Sequence, residues 1–189
     1  MNVLKERLRQ TLLSLGVAFL LWQSLSMLMY APELQLSSFG LMLFLAWLFN
    51  MYITGIFAFM VFAFPAERLL LESYYLIRDA ERLKNLYKRL QVDVFKKFLL
   101  MTFWRSKKQK QKYFSGGRKG LSQLDEQSRK SEFGHVIPFV LLTAVSFYFA
   151  GLGFIAFGCL TLAINILGNG YPVILQRHHR MRLARLISR

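Results

Sequence analysis

Three stretches of the chain are apolar almost throughout, and charged stretches separate them. The first covers residues 11–30. The second runs from Ser37 to Phe64, 28 residues without a charged side chain, and the third from Val136 to Gln176, 41 residues without one. A hydrocarbon core about 30 Å thick is crossed by roughly 20 helical residues. The first stretch is therefore one span, and the second is one span whose excess a tilt absorbs. The third is too long for a single helix, and Ala150-Gly151-Leu152-Gly153 near its middle predicts a tight turn within a helical hairpin. Transmembrane helices are expected near 11–30, 38–63, 134–150 and 153–175. The runs are apolar on all sides, which excludes the alternating ten-residue pattern of a membrane barrel. Lys5, Arg7 and Arg9 precede the first run as in a signal peptide, but the run is long and no small-x-small site follows it, so a retained span is expected.

Composition sharpens this picture. The 189 residues are 54% hydrophobic and 15% aromatic, which excludes a disordered chain. The single cysteine, Cys159, excludes an internal disulfide framework, and its place in the third run predicts an inert thiol. There are 25 Lys and Arg against 10 Asp and Glu, a net charge of +15. Such a charge suits either a nucleic-acid binder or a membrane protein with basic loops, and its placement decides. Three basic residues lie in 1–10, none in 31–37, 17 in 65–135, none in the hairpin turn, and five in the tail (Arg177, Arg180, Arg182, Arg185, Arg189). The alternation follows the positive-inside rule. It predicts an integral membrane protein with both termini and the long 65–135 loop cytoplasmic and the two short loops facing outward. Membrane lipids are the expected partners, with a membrane-protein partner or a homo-oligomer open, and no nucleic acid. The expected fold class is all-α: a polytopic membrane protein, one membrane domain over 1–189, with four transmembrane helices, a cytoplasmic amphipathic segment at 65–133 and a basic tail at 176–189.

Within that segment, Leu83, Leu86, Tyr87, Leu90, Val94, Phe98 and Met101 recur at helical spacing, with Lys84, Lys88, Arg89, Lys96 and Lys97 mostly opposite. One amphipathic helix ending near Trp104 is expected, lying on the inner leaflet or packed on the membrane core. Residues 105–119 are polar and basic, and Lys107, Lys108, Lys110 and Lys112 suit anionic lipid or mark topology alone. Ser122 and Asp125 form a weak capping box. The helix that follows is expected to bend at Pro138, which has no amide for the Gly134 carbonyl.

Chemistry concentrates around that bend. Ionisable groups at a membrane boundary are costly, which makes them functional candidates. Glu132 and His135 are three apart and share a helical face with Ser128. A carboxylate beside an imidazole orients it, so His135 is a candidate general base with Glu132 as its partner. The alternative is an ion pair at a helix end, Arg129–Glu132 included. One Glu-x-x-His is half of a di-iron site and no second one exists, while Arg177-His178-His179-Arg180 has no acidic ligand near it, so no metal is expected. Asn165 and Asn169, with Asn50 and Thr54, either line a cavity or hydrogen-bond between helices.

The tail Asn169-Gly-Tyr-Pro172-Val-Ile-Leu-Gln176-Arg177-His-His-Arg180-Met-Arg182-Leu resembles a C-terminal signature, Asn-x-Tyr-Pro followed by Gln-Arg-Tyr-Asn-Arg-x-Arg-Leu, of a small bacterial membrane family. This is the glycosyl-diaponeurosporenoate acyltransferase-like family of staphyloxanthin-type carotenoid synthesis. His178 and His179 stand where that signature has Tyr and Asn. Arg129-Lys-Ser-Glu132-Phe-Gly-His135 is similar to the family's Arg-x-x-Glu-x-x-His element. The resemblance covers roughly 129–185; the first two spans agree in hydropathy only. It implies an integral membrane O-acyltransferase that moves a fatty acyl group from a cytoplasmic thioester to a hydroxyl of a membrane glycolipid or glycosylated isoprenoid. It implies catalysis by His135 and Glu132, and substrate binding by Arg129, Asn165, Asn169, Gln176, Arg177, Arg180 and Arg182. Asn169 would face the oxyanion, and the arginines the phosphates of the donor. No bound cofactor is implied; acyl-CoA or an acyl-carrier thioester is the expected co-substrate. Two alternatives are a non-catalytic membrane subunit or scaffold, in which Gly158 and Gly168 allow close helix packing, and a transporter, for which four spans without an inverted repeat offer little.

Overall fold

The computed structural model describes residues 2–30, 38–102 and 117–187, and every regular element among them is helical. The expected loop at 31–37, Trp104 and the lysines at 107–112 lie outside the described residues. The helices are α1 (Asn2–Tyr30), α2 (Phe39–Ala63), the single turn α3 (Glu72–Tyr75), α4 (Ala80–Arg89), α5 (Val92–Thr102), α6 (Gly117–Gly151), α7 (Ile155–Asn165) and α8 (Tyr171–Ile187), with a π-helical turn, Ile166–Gly170, leading from α7 into α8. Four segments are long and apolar enough to cross a membrane: Val3–Tyr30, Phe39–Ala63, Gly120–Gly151 and Ile155–Ala184. The fold is thus helical with four candidate spans, as the hydropathy pattern predicts. The helices at the charged ends run further than the apolar stretches do.

The chain divides into two compact units. The first comprises Met1–Glu67 and Phe133–Gly170. Its α1 and α2 approach closely at two glycines: a Cβ on Gly16 would meet the Phe59 ring at 2.8 Å, and one on Gly55 would meet the Leu20 side chain at 2.9 Å. Ala46 and Phe49 of α2, Leu142 and Phe149 of α6, and Phe157 of α7 form the buried centre. Phe149 meets Phe49 at 6.2 Å and Phe157 at 4.9 Å, both edge to face, the preferred geometry for ring quadrupoles. Leu12, Phe19, Trp22, Phe44, Trp47, Phe147 and Ile155 are exposed on the protein, which suits a lipid-facing surface.

The predicted hairpin turn joins α6 to α7. Gly153 has φ +90°, a conformation that favours glycine, and the Phe154 amide closes the turn onto the Phe149 carbonyl at 2.9 Å. Across this hairpin Gly158 is tightly packed, since a Cβ there would lie 2.6 Å from the Ser146 carbonyl oxygen. Gly168 has nothing within 4 Å of an added Cβ, so of the two glycines expected to allow close packing only Gly158 does so. Helix α6 continues as helix through Pro138.

The second unit comprises Arg68–Glu132 and Tyr171–Arg189. Its amphipathic segment is two helices rather than one, because the chain turns at Leu90–Gln91, where Gln91 takes φ +49°. Asp79 caps α4 by accepting from the Arg82 amide at 2.8 Å. The turn brings Asp93 back to the Tyr87 hydroxyl, which donates to it at 2.8 Å. Burial, and then this bond, push the Tyr87 hydroxyl well above its ordinary pKa. The Tyr87 ring also stacks on His178 at 3.9 Å, and Phe95 meets Tyr171 at 5.3 Å, so both helices pack on α8. Val94, Phe98 and Met101 of the predicted apolar stripe remain exposed, whereas Tyr87 is buried.

Candidate functional site

In the first unit the polar side chains of the apolar helices meet one another. Asn165 closes α7 and Asn169 sits in the π turn. Such turns disturb the regular ladder and recur at functional sites. The Asn169 amide nitrogen donates to Asn165 Oδ1 at 3.0 Å and to Thr54 Oγ1 at 3.0 Å. The amide nitrogen of Asn165 donates to the Phe139 carbonyl at 2.9 Å and to Thr143 Oγ1 at 3.1 Å. The Thr143 hydroxyl itself donates to the Phe139 carbonyl at 2.7 Å. His135 Nδ1 lies 2.9 Å from Asn169 Oδ1. Nearby, Asn50 donates to the carbonyls of Ala46 and Thr161. Asn165 and Asn169 are buried and His135 is partly buried. Side chains from α2, α6, α7 and the π turn thus join in one uncharged network. A buried amide without partners would be costly here, so the satisfied network also fixes how these helices register.

The second unit holds a buried ion cluster. Glu132 is fully buried and faces two guanidinium groups. Arg177 Nε donates to its Oε1 at 2.8 Å, and Arg180 Nη1 makes an ion contact with Oε2. Arg177 also donates to the Tyr74 carbonyl at 2.9 Å and lies 4.6 Å from the Tyr74 ring centroid; Arg180, itself buried, lies 5.0 Å from that of Tyr75. Burial first, and then the Glu132 carboxylate, push the Tyr74 hydroxyl up to about 12, against the pull of Arg177. Arg129 bridges Asp125 at 2.8 Å and Glu72 at 2.6 Å and also faces the Tyr75 ring. Gln176 donates to Ser131 Oγ at 3.1 Å, its carbonyl accepts from Ser128 Oγ at 3.3 Å, and Arg182 is exposed.

The residues expected from sequence therefore fall into two sets. His135, Asn165 and Asn169 form one connected group. Glu132, Arg177 and Arg180 form another, with Arg129 and Gln176 held by their own partners. The orienting contact that His135 makes is with Asn169, while the Glu132 carboxylate is engaged by arginines. Glu132 and His135 share a helical face, but that face spans many possible neighbours and guanidinium groups outcompete a neutral ring for a buried carboxylate. Sequence reading missed Thr143, Tyr74 and Tyr75. Thr143 is eight residues from His135 and so recurs on its face after two turns, a signal that was available. Nothing local marks Tyr74 and Tyr75 as the rings under the arginines.

The class of protein is now defined: an all-helical chain with four candidate membrane spans and a buried His–Asn network within them. The family of glycosyl-4,4'-diaponeurosporenoate acyltransferases matches residues 71–189, well over half of the chain, and the chain belongs to that family. The match extends upstream of the motif region to include α3, α4 and α5. No curated protein and no solved structure matches the chain.

Proposed function

We propose that the protein is a membrane O-acyltransferase. It transfers a fatty acyl group from a thioester, acyl-CoA or acyl-carrier protein, to a hydroxyl of a membrane glycolipid or glycosylated isoprenoid. The observation that carries this is the imidazole of His135 held by Asn169 beside Asn165 and Thr54, in a chain whose family is named for acyl transfer. In the step, the acceptor oxygen attacks the thioester carbonyl carbon and its proton passes to His135. The new C–O bond forms, the C–S bond breaks, and the departing sulfur takes the proton from His135 as a thiol. A positioned base contributes about 10²–10⁴-fold to such a reaction. The amides of Asn165 and Asn169 are engaged within the protein, so they support the base rather than bind substrate. Arg182, exposed on α8, suits the donor phosphates. The donor approaches from the cytoplasmic side of a bacterial inner membrane and the acceptor within the inner leaflet, consistent with the basic bias of the middle segment and the tail.

A second reading has its own support. Most polar atoms in both clusters are satisfied inside the chain, as in a scaffold that binds lipid or a partner membrane protein. One experiment separates the two. Lipids are extracted from cells that carry the protein, lack it, or carry His135→Ala, and compared by mass. The enzyme reading expects a lipid heavier by one fatty acyl group only with the unaltered protein. Identical lipids in all three strains overturn it and leave the scaffold.

A further inference from the structure

The geometry points to Asn165 and Asn169 as positioning residues that impose one tautomer on His135, with the proton on Nδ1 and the lone pair on Nε2. This rests on the reading of His135 as the base and says which nitrogen acts.

The polarity of the network can be followed from one end. The Phe139 carbonyl oxygen is an acceptor only. It receives the Thr143 hydroxyl proton at 2.7 Å, which leaves Thr143 Oγ1 to accept at its other face. Asn165 Nδ2 lies 2.9 Å from the Phe139 oxygen and 3.1 Å from Thr143 Oγ1. Both neighbours accept, so the amide nitrogen of Asn165 must face them and its Oδ1 must face Asn169. That oxygen accepts in turn, so Asn169 presents its nitrogen there, at 3.0 Å, and turns its own Oδ1 to His135 Nδ1 at 2.9 Å. An amide oxygen can only accept, and the nitrogen opposite it must carry a proton. Thr54 does not decide the matter, because its hydroxyl lies 3.0 Å from Asn169 Nδ2 and 3.2 Å from Oδ1 and can serve either end.

The relay begins and ends on α6, since Phe139 lies one helical turn after His135. It passes through α7 and the π turn between these points. The alternative tautomer would set an unprotonated Nδ1 against an amide oxygen, or require both amides to flip and Asn165 Oδ1 to face the Phe139 carbonyl. Either arrangement opposes two acceptors in a buried site and leaves both without a donor. With Nδ1 protonated, the acceptor hydroxyl gives its proton to Nε2 while Nδ1 keeps its own.

The test uses the full chain in lipid nanodiscs with ¹⁵N-labelled histidine. The chain has three histidines, and His135 is assigned by loss of its signals in His135→Gln. Neutral His135 should show a protonated Nδ1 and an unprotonated Nε2. Asn169→Leu and Asn165→Leu should add the Nε2–H form and lower acyl transfer roughly tenfold or more, within the 10²–10⁴-fold that a base supplies. An Nε2–H form of His135 in the unaltered protein overturns the relay. So does an unchanged Nδ1–H form in folded Asn169→Leu. The two readings fail separately. The fixed tautomer with unchanged lipids in His135→Ala sinks the enzyme and leaves the relay; a dead His135→Ala with an Nε2–H ring does the reverse.

Discussion

The polar cluster of the first unit is made of amides, hydroxyls and one partly buried imidazole; that of the second is guanidinium groups around a buried carboxylate. The first set joins α2, α7 and the stretch of α6 after Glu132, which hold no Asp, Glu, Lys or Arg and where a formal charge is hard to keep. Asn, Thr and His satisfy one another there without any net charge. The second set joins residues of the charged segments 68–132 and 171–189, and there Glu132 is compensated by Arg177 and Arg180. The contrast shows how each cluster would respond to damage. A neutral hydrogen bond between membrane helices is worth about 0.6 kcal/mol on average, with an upper range near 1.7. Breaking a buried ion pair by removing one partner costs about 3–5 kcal/mol, because the other charge stays behind.

The sharpest break in the comparison is therefore Glu132→Ala. Arg180 is 4% exposed and would be left buried without its carboxylate, whereas Arg177 is only partly buried. Unfolding in detergent should show a loss of about 3–5 kcal/mol. Glu132→Leu combined with Arg180→Met should recover most of it, since well-packed apolar residues can replace a buried pair at little cost. A double variant as unstable as Glu132→Ala would mean that packing, not the orphaned charge, sets the loss.

A smaller effect is expected where the first unit closes its hairpin. Gly158→Ala puts a Cβ about where the Ser146 carbonyl stands, 2.6 Å away, and backbone cannot swing aside as a flexible side chain can. A destabilisation of about 1–3 kcal/mol should follow. Gly134→Ala, with nothing within 4 Å, should be neutral or gain up to about 1 kcal/mol from helix propensity. Equal losses at the two glycines, measured by the same unfolding, would remove the close approach as the cause.

How much of this was legible beforehand follows the range of the interactions. The four spans were, because a bilayer imposes a length and a composition that local sequence must meet. The hairpin turn was too, because Gly151 and Gly153 punctuate an otherwise unbroken run. The polar members of the first cluster stood out as residues, Asn50, Thr54, Asn165 and Asn169 being conspicuous among apolar neighbours. Their pairing did not. His135 finds Asn169 34 residues on, and Glu132 finds Arg177 45 residues on. Helical spacing supplies only near neighbours, and so it offered Glu132 to His135. The break at Gln91 was hidden for a related reason: two short helices can carry the apolar stripe that one long helix would carry. The family signature located the residues, but a signature in sequence does not say which nitrogen faces which oxygen.

The smallest expected effect tests the neutral cluster from within. Thr54→Val keeps the shape of the side chain and removes its hydroxyl, so Asn169 loses one partner and keeps Asn165 and His135. The stability change should be about 0.6 kcal/mol. More to the point, the direction of the relay should survive, because Thr54 can donate or accept and so never selected the orientation of Asn169. Asn165 does select it, through the Phe139 carbonyl. Thr54→Val should therefore leave the His135 tautomer unchanged and acyl transfer within about twofold, a rate effect worth less than 0.5 kcal/mol. Asn165→Leu, which removes the directing bond, should change both. If Thr54→Val shifts the tautomer as far as Asn165→Leu does, then His135 depends on the packing of the whole cluster and not on the polarity of one chain of bonds.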